Sequence, residues 1–341
     1  MTDTERTVGD PAEALALAAA AGIHALSIPT PFLVGRVNCY LIEDEPLTLV
    51  DTGPNSGTSL DALERALATH GRTIDQLGLI VLTHQHIDHS GLVEIIVRRS
   101  GAGVAAFGPL APWLADYADS AAQDDQHAQQ IMRRHGVPSD LVSVLGGVGA
   151  AFRKFGSRGT ITHPLADGEP LRLRDRTFTV HHRPGHSPSD LVFVDEQRRT
   201  GIGGDHLLSR ISSNPLIARP LGGEPAGGRS RPLVDYISSL RASAELPVDV
   251  LLGGHGEPVL DHVSLIAERL RLHERRARKI ERILADGPLS AHEIAVAMWG
   301  DVAVTQAFLT LSEVLGHLDV LSEEGRVIER EDDQGSSFAI E

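Results

Sequence analysis

Residues 82–91 read "LTHQHIDHSG" and follow directly on the apolar run "LGLIVL". A short run of that kind marks a strand buried on both faces of a sheet. His84, His86, Asp88 and His89 crowd its exit. Polar groups held at such an edge need partners, so the fold must bring further polar side chains there or a cation to satisfy these. With 17 histidines in 341 residues, chance is a poor explanation for the cluster.

Three other segments place metal-binding residue types where a loop leaves a strand, a position that is rigidly held yet open to solvent. "HHRPGHSPSD" carries His186, "GIGGDHLL" carries Asp205 and "VLLGGHGEP" carries His255. The full set is five imidazoles and two carboxylates, more than one tetrahedral zinc uses and suited to two metals sharing a carboxylate. Without a cysteine the donors are nitrogen and oxygen only, which favours Zn²⁺ and leaves Fe and Mn open. Asp51, in "DTG", reads as a turn residue that orients a ligand through hydrogen bonds. His206 and the strand pair His181–His182 read as structural, because adjacent strand residues face opposite sides.

The organisation follows from pattern. Residues 1–22 form an acidic, alanine-rich extension lacking the basic start and strongly apolar centre of a signal peptide. No run of about 18 apolar residues predicts a membrane span. The one cysteine, Cys39, rules out internal disulfides, fits a reducing cytoplasm and reads as a strand core residue. Residues 23–263 alternate strands and helices. "IHALSIPTPF" and "VNCYLIEDEPLTLVDTG" are predicted strands, the latter turning at "EDEP"; "SGTSLDALERALATHG" and "SGLVEIIVRRSG" are amphipathic helices. Residues 110–158 break the rhythm as a helical insertion, either a cap or extra helices on the outside of the sheet. Residues 264–341 give three helices and a hairpin across "DDQG", the winged-helix arrangement.

The order HxHxDH, then His, Asp and His, each after a strand, resembles the metallo-β-lactamase superfamily. That resemblance implies an α/β fold, a four-layer αββα sandwich of two mixed sheets with helices outside, and a dinuclear site at one edge. It would give His84, His86 and His186 to the first metal and Asp88, His89 and His255 to the second, with Asp205 bridging. Asp88 and Asp205 would then orient the nucleophile or hold its proton. The tail is similar to the winged-helix appendage of lactamase-β-like hydrolases, a subgroup that includes a single-strand ribonuclease. Cys39 precedes every motif, which excludes the β-lactamases with a cysteine ligand. His86 stands where the flavodiiron branch has glutamate, which disfavours oxygen reduction. Ser189-Asp190, after "GHSP", departs from many relatives.

Net charge is −15, which repels polyanions. The tail's would-be recognition helix carries Glu313, Asp319, Glu323 and Glu324 and no lysine or arginine, so DNA is disfavoured while RNA stays open, and the tail reads as a module for homodimerisation or packing. Arg210, Arg219, Arg229 and Arg231 face a single acid, Glu224, in the loop after Asp205, and suggest an anionic group on a small-molecule substrate. Trp113, Tyr117 and Phe152 give the insertion an apolar character suited to an acyl chain. The expected activity is hydrolysis of an ester, thioester or lactone by a metal-bridging hydroxide. The alternatives are a metal-dependent phosphodiesterase or ribonuclease, and a mononuclear iron persulfide dioxygenase, which would leave Asp88, His89 and His255 idle.

Overall fold

The computed structural model describes residues 10–221, 229–332 and 335–341. The start of the N-terminal extension (1–9), Glu224 and the "DQ" of the tail turn lie outside the described residues. One six-stranded sheet runs β1 (Ile23–Ile28), β2 (Val37–Ile42), β3 (Thr48–Val50), β4 (Leu79–Val81), β5 (Gly103–Phe107) and β6 (His163–Leu165), in that spatial order. Its first three strands are antiparallel and β3 to β6 parallel. A second sheet has the order β11-β10-β9-β8-β7, from β7 (Pro170–Arg172), β8 (Thr177–His182), β9 (Leu191–Asp195), β10 (Thr200–Gly204) and β11 (Val250–Gly253). Only β10 and β11 pair in parallel.

The inner faces of the two sheets meet, with Tyr40, Ile42, Val50 and Val81 packed in one core with Phe178, Phe193, Ile202 and Leu252. The extension's helix α1 (Pro11–Ala20), capped by Asp10, adds Ala14 and Ala18 to it. Outside the first sheet lie α2 (Gly57–Thr69), the short α3 (Ile87–Ser90) and α4 (Val93–Ser100), burying Leu63, Leu67 and Ile96. Cys39 is buried in the same core. Three helices follow, α5 (Ala111–Ala115), α6 (Tyr117–Arg134) and α7 (Ser139–Phe152); α8 (Pro232–Ser243) then covers the second sheet with Leu233, Tyr236 and Leu240. This is the four-layer sandwich. Residues 29–32, expected to continue the first strand, belong to a loop that runs to residue 36. Pro29 and Pro31 have no N–H to give a ladder.

The tail consists of α9 (His262–Leu284), α10 (Ala291–Trp299), α11 (Val302–Thr305), α12 (Ala307–Glu323) and the pair β12 (Val327–Asp332) and β13 (Gly335–Ile340). It is not set apart from the sandwich. The boundary expected after residue 263 falls inside α9, whose Ile266 packs with the second sheet's helices while Ala277, Ile280 and Leu284 join the tail core. That tail core also takes Ile131, Met132, Val137 and Val142 from the helical insertion. The insertion therefore stands against the tail as much as against the sheet. Helix α12 is buried along most of its length, from Thr310 to Asp319. Its Gly316 lies so close to α8 that an added Cβ would meet Leu233 Cβ at 2.7 Å. Gly316→Val is expected to cost about 1–3 kcal/mol through overpacking, seen as a lowered urea midpoint; an unchanged midpoint would show that α8 and α12 slide apart freely.

Candidate metal centre

The same edge of the sandwich collects the exits of β3, β4, β8, β10 and β11. The turn after β4 leads into α3, where Asp88 and His89 occupy one helical turn and His86 stands at its start. His186 follows β8, Asp205 follows β10 and His255 follows β11. All seven predicted donors converge. Donor atoms of His84, His86 and His186 lie within 4.8 Å of one another, as do those of Asp88, His89 and His255, and those of His84, His89 and Asp205. Asp205 sits between the two triads: His186 Nε2 is 3.6 Å from its carboxylate, and His89 Nε2 and His255 Nε2 are each 3.4 Å from it. His255 Nε2 is also 3.4 Å from Asp88.

Outward ring nitrogens are fixed by neighbours. His89 Nδ1 donates to Asp51 Oδ2 at 2.7 Å, His255 Nδ1 to the Arg36 carbonyl at 2.7 Å, and His186 Nδ1 to the Asn214 carbonyl at 3.2 Å. Thr83 Oγ1 donates to Asp51 Oδ2 at 2.8 Å and so accepts from His84 Nδ1 at 3.0 Å. These bonds set the tautomers and point the remaining lone pairs inward. There, His84 Nε2, His89 Nε2, His255 Nε2 and Asp205 Oδ1 are buried without a hydrogen-bond partner among the described residues. Buried polar atoms are rarely left so, and an inward-facing set of nitrogen and oxygen lone pairs at these separations fits divalent cations. The backbone also makes room. A Cβ at Gly254 would fall 2.3 Å from Asp205 Oδ1 and 2.6 Å from His89 Cε1.

The charge balance agrees. Burial pushes His84 down well below the usual imidazole range and His86 down to about 3, with neighbouring imidazoles acting in the same direction. Burial opposes charge on His255 too, but the Asp205 and Asp88 carboxylates, each 3.4 Å from its Nε2, lift it to about 9. Burial would raise Asp205, yet His89 and His255 hold its carboxyl well below the carboxylate range.

Asp51 takes the orienting place expected of it, with φ of 57° and bonds to Thr83 N, Thr83 Oγ1 and His89 Nδ1. His182 donates to the Pro188 carbonyl and stacks on Phe107, and His206 bonds Ser243 Oγ, both away from the donor cluster. The expected substrate contacts fare differently. Arg210 pairs with Glu257, Arg219 with Asp124 of α6, Arg229 with Asp319 of α12 at 2.5 and 2.6 Å, and Arg231 with Glu323. Their acids are supplied by distant elements, so these guanidiniums are paired with carboxylates instead of standing unpaired beside the donor cluster. Trp113 Nε1 donates to Asp124 and Tyr117 OH to the Arg153 carbonyl, and Tyr117 is buried against Gly156. Both are packing residues of the insertion.

Several supporting groups lie outside the set singled out in sequence. Asn38 and Tyr40 hold the 253–256 turn through the Gly253 and Gly256 carbonyls. Asn214, whose carbonyl orients His186, has its side chain bonded to the Leu309 carbonyl at 3.1 Å, and Ile217 N bonds Ser312 Oγ. Thus α12 of the tail steadies a metal-ligand loop. Backbone carbonyls leave no trace in a sequence pattern; only Asn214 itself could have been noticed.

Comparison with known proteins agrees with this geometry. The metallo-beta-lactamase superfamily pattern matches residues 33–255. The probable metallo-hydrolase YqjP of Bacillus subtilis is 32% identical over 302 residues, covering 89% of this chain and 92% of the relative. The acyl-coenzyme A thioesterase MBLAC2 of Bos taurus is 28% identical over half of this chain and 58% of its own. The crystal structure of a metallo-beta-lactamase family protein from Thermus thermophilus superimposes with a TM-score of 0.78 at 26% identity, covering 94% of this chain and 99% of that one. The chain belongs to the metallo-β-lactamase superfamily.

Two outcomes follow from the site. Asp51→Asn should weaken metal binding by about 10–100-fold by freeing His89, measured by zinc titration; unaltered affinity would remove Asp51 from the orienting role. A metal must also displace the proton that His255 holds below about 9. Apparent zinc affinity is therefore expected to rise with pH toward that value, with proton release on binding, and a flat profile would contradict it.

Proposed function

We propose that this chain, a metal-dependent hydrolase of its superfamily, holds two divalent cations, Zn²⁺ by donor chemistry, and hydrolyses an acyl thioester. The convergence of two three-donor groups on Asp205 carries this reading. When bound, the cations supply a water of lowered pKa and polarise the scissile carbonyl. The chain's residues do the rest. Asp88 and Asp205 would orient the attacking water, while Asp51, Thr83 and the Arg36 and Asn214 carbonyls keep the imidazoles from turning. Once all seven donors are committed, none is spare to protonate a leaving group. A thiolate, from a thiol of pKa about 8.5, departs without such help, whereas an alkoxide benefits from an acid.

The surface beside the centre supports an acyl group. The loop that ends at Arg36, whose carbonyl holds His255, exposes Leu33 at 93% and seats Phe32 against Phe152 and Phe155, with ring centroids 5.5 and 5.6 Å away. Along the same side of α7, Val144 and Val148 are exposed at helical spacing from Phe152. Apolar side chains left in water beside a reactive centre invite an apolar substrate portion. The relatives agree: besides the bovine protein, an atrochrysone carboxyl ACP thioesterase of Aspergillus terreus is 22% identical over 84% of this chain. The paired arginines no longer offer a free cationic groove for a polynucleotide, and buried α12 is unsuited to groove reading.

The test is a panel of acyl-coenzyme A thioesters of increasing chain length, matched oxyesters, lactones, bis-p-nitrophenyl phosphate and single-stranded RNA, assayed with zinc-loaded protein. Thioesters should exceed the phosphodiester in kcat/KM by roughly 100-fold, about 2.7 kcal/mol in the barrier. Leu33→Asp should raise KM for long chains while leaving kcat unchanged. Phosphodiester cleavage with steep salt inhibition and no acyl hydrolysis would overturn the proposal.

A further inference from the structure

A second group of metal-binding side chains lies in the tail and shares no residue with the centre above. His273 comes from α9, and Glu313 and His317 come from α12, one helical turn apart and therefore on the same face. All three are buried, and their donor atoms lie within 4.8 Å of one another. His317 repeats the device seen at the catalytic centre. Its Nδ1 donates to the Glu313 carbonyl at 2.7 Å, which leaves the Nε2 lone pair directed at its neighbour. That neighbour is His273 Nδ1, 3.4 Å away.

The spacing is informative. A hydrogen bond of this type prefers about 2.9–3.0 Å. Two nitrogens each about 2.05 Å from one tetrahedral zinc stand about 3.3–3.4 Å apart. It is also the separation between His255 Nε2 and Asp205 or Asp88 at the catalytic edge. Whichever tautomer His273 adopts, its Nε2 stays buried with no partner among the described residues, so a simple hydrogen-bonded pair leaves a polar atom stranded. Burial pushes His273 down to about 3 and His317 in the same direction, and a neutral imidazole is the form that binds a metal. Arg276 donates to Glu313 Oε1 at 2.6 Å, and that oxygen lies 3.7 Å from His317 Nδ1. A cavity of about 430 Å³, lined by His273, His317, Leu270, Ala277 and Val320, reaches the pair and admits ion and water; Glu274 and Glu323 also line it.

We propose that His273, His317 and Glu313, brought together where α9 meets α12, form an additional zinc site, with two imidazoles, one carboxylate and water from the adjoining cavity as its donors. This site pins α12 to α9. Because Asn214 and Ile217 hang on α12, the ion would steady the loop that orients His186 without touching substrate.

Zinc per chain, counted by elemental analysis after dialysis of the full-length protein against a weak chelator, tests this. His273→Gln and His317→Gln should each carry one equivalent fewer than the unsubstituted chain. The comparison is a difference, so it does not depend on how many ions the catalytic centre holds. A His86→Ala/His89→Ala/Asp205→Ala chain, which loses one donor from each triad and the carboxylate between them, should still retain one equivalent and lose it when His317→Gln is added. Equal zinc in the folded glutamine variants and the unsubstituted chain would overturn the proposal and leave a long hydrogen bond in its place. Should neither glutamine variant fold, the chain lacking His86, His89 and Asp205 decides alone: one retained zinc supports the site and none overturns it.

Discussion

Buried lone pairs that converge on one another are the constraint on which this molecule turns. Four such atoms, on His84, His89, His255 and Asp205, meet at one edge of the sandwich, where burial forbids water from satisfying them. A divalent metal site answers that demand, and much around the edge serves to hold the geometry in readiness. The cost appears in local backbone shape: Asp51 takes a positive φ and Gly254 admits no side chain.

The support reaches far from the site. Asp51 collects Thr83 and His89 into one rigid unit. The start of β2 latches the 253–256 turn through Asn38 and Tyr40. The tail, through α12, fixes the loop carrying Asn214, and Arg229 and Arg231 clamp the same loop to Asp319 and Glu323. A catalytic group placed within a fraction of an ångström needs such a second layer. The tail's chemistry therefore accords with a scaffold role, sharing its core with the helical insertion and its hydrogen bonds with the ligand loop.

The seven donors are legible in sequence because residue type and strand-exit position both report on metal chemistry. The sandwich is legible because apolar runs such as "LGLIVL" and amphipathic helices such as that around Leu63 and Leu67 carry their own periodicity. What escapes detection depends on contacts between remote segments. The arginine loop looks uncompensated in sequence because Asp124 and Asp319 are roughly 90 residues from their partners. Trp113 and Tyr117 look like substrate contacts because nothing local announces Asp124 or the Arg153 carbonyl. The tail looks like a separate module because its hydrophobic faces are matched by Ile131, Met132 and Val142, far back in the chain. The loop at 29–36 carries a strand-like apolar run, although its two prolines stand in plain view against a ladder.

Anomalous diffraction at the zinc absorption edge, from crystals of the zinc-loaded chain, tests the central claim most directly. The account predicts two neighbouring peaks, one among His84, His86 and His186 and the other among Asp88, His89 and His255, with Asp205 in contact with both. A single peak at this edge, or seven side chains splayed away from any ion, would contradict it.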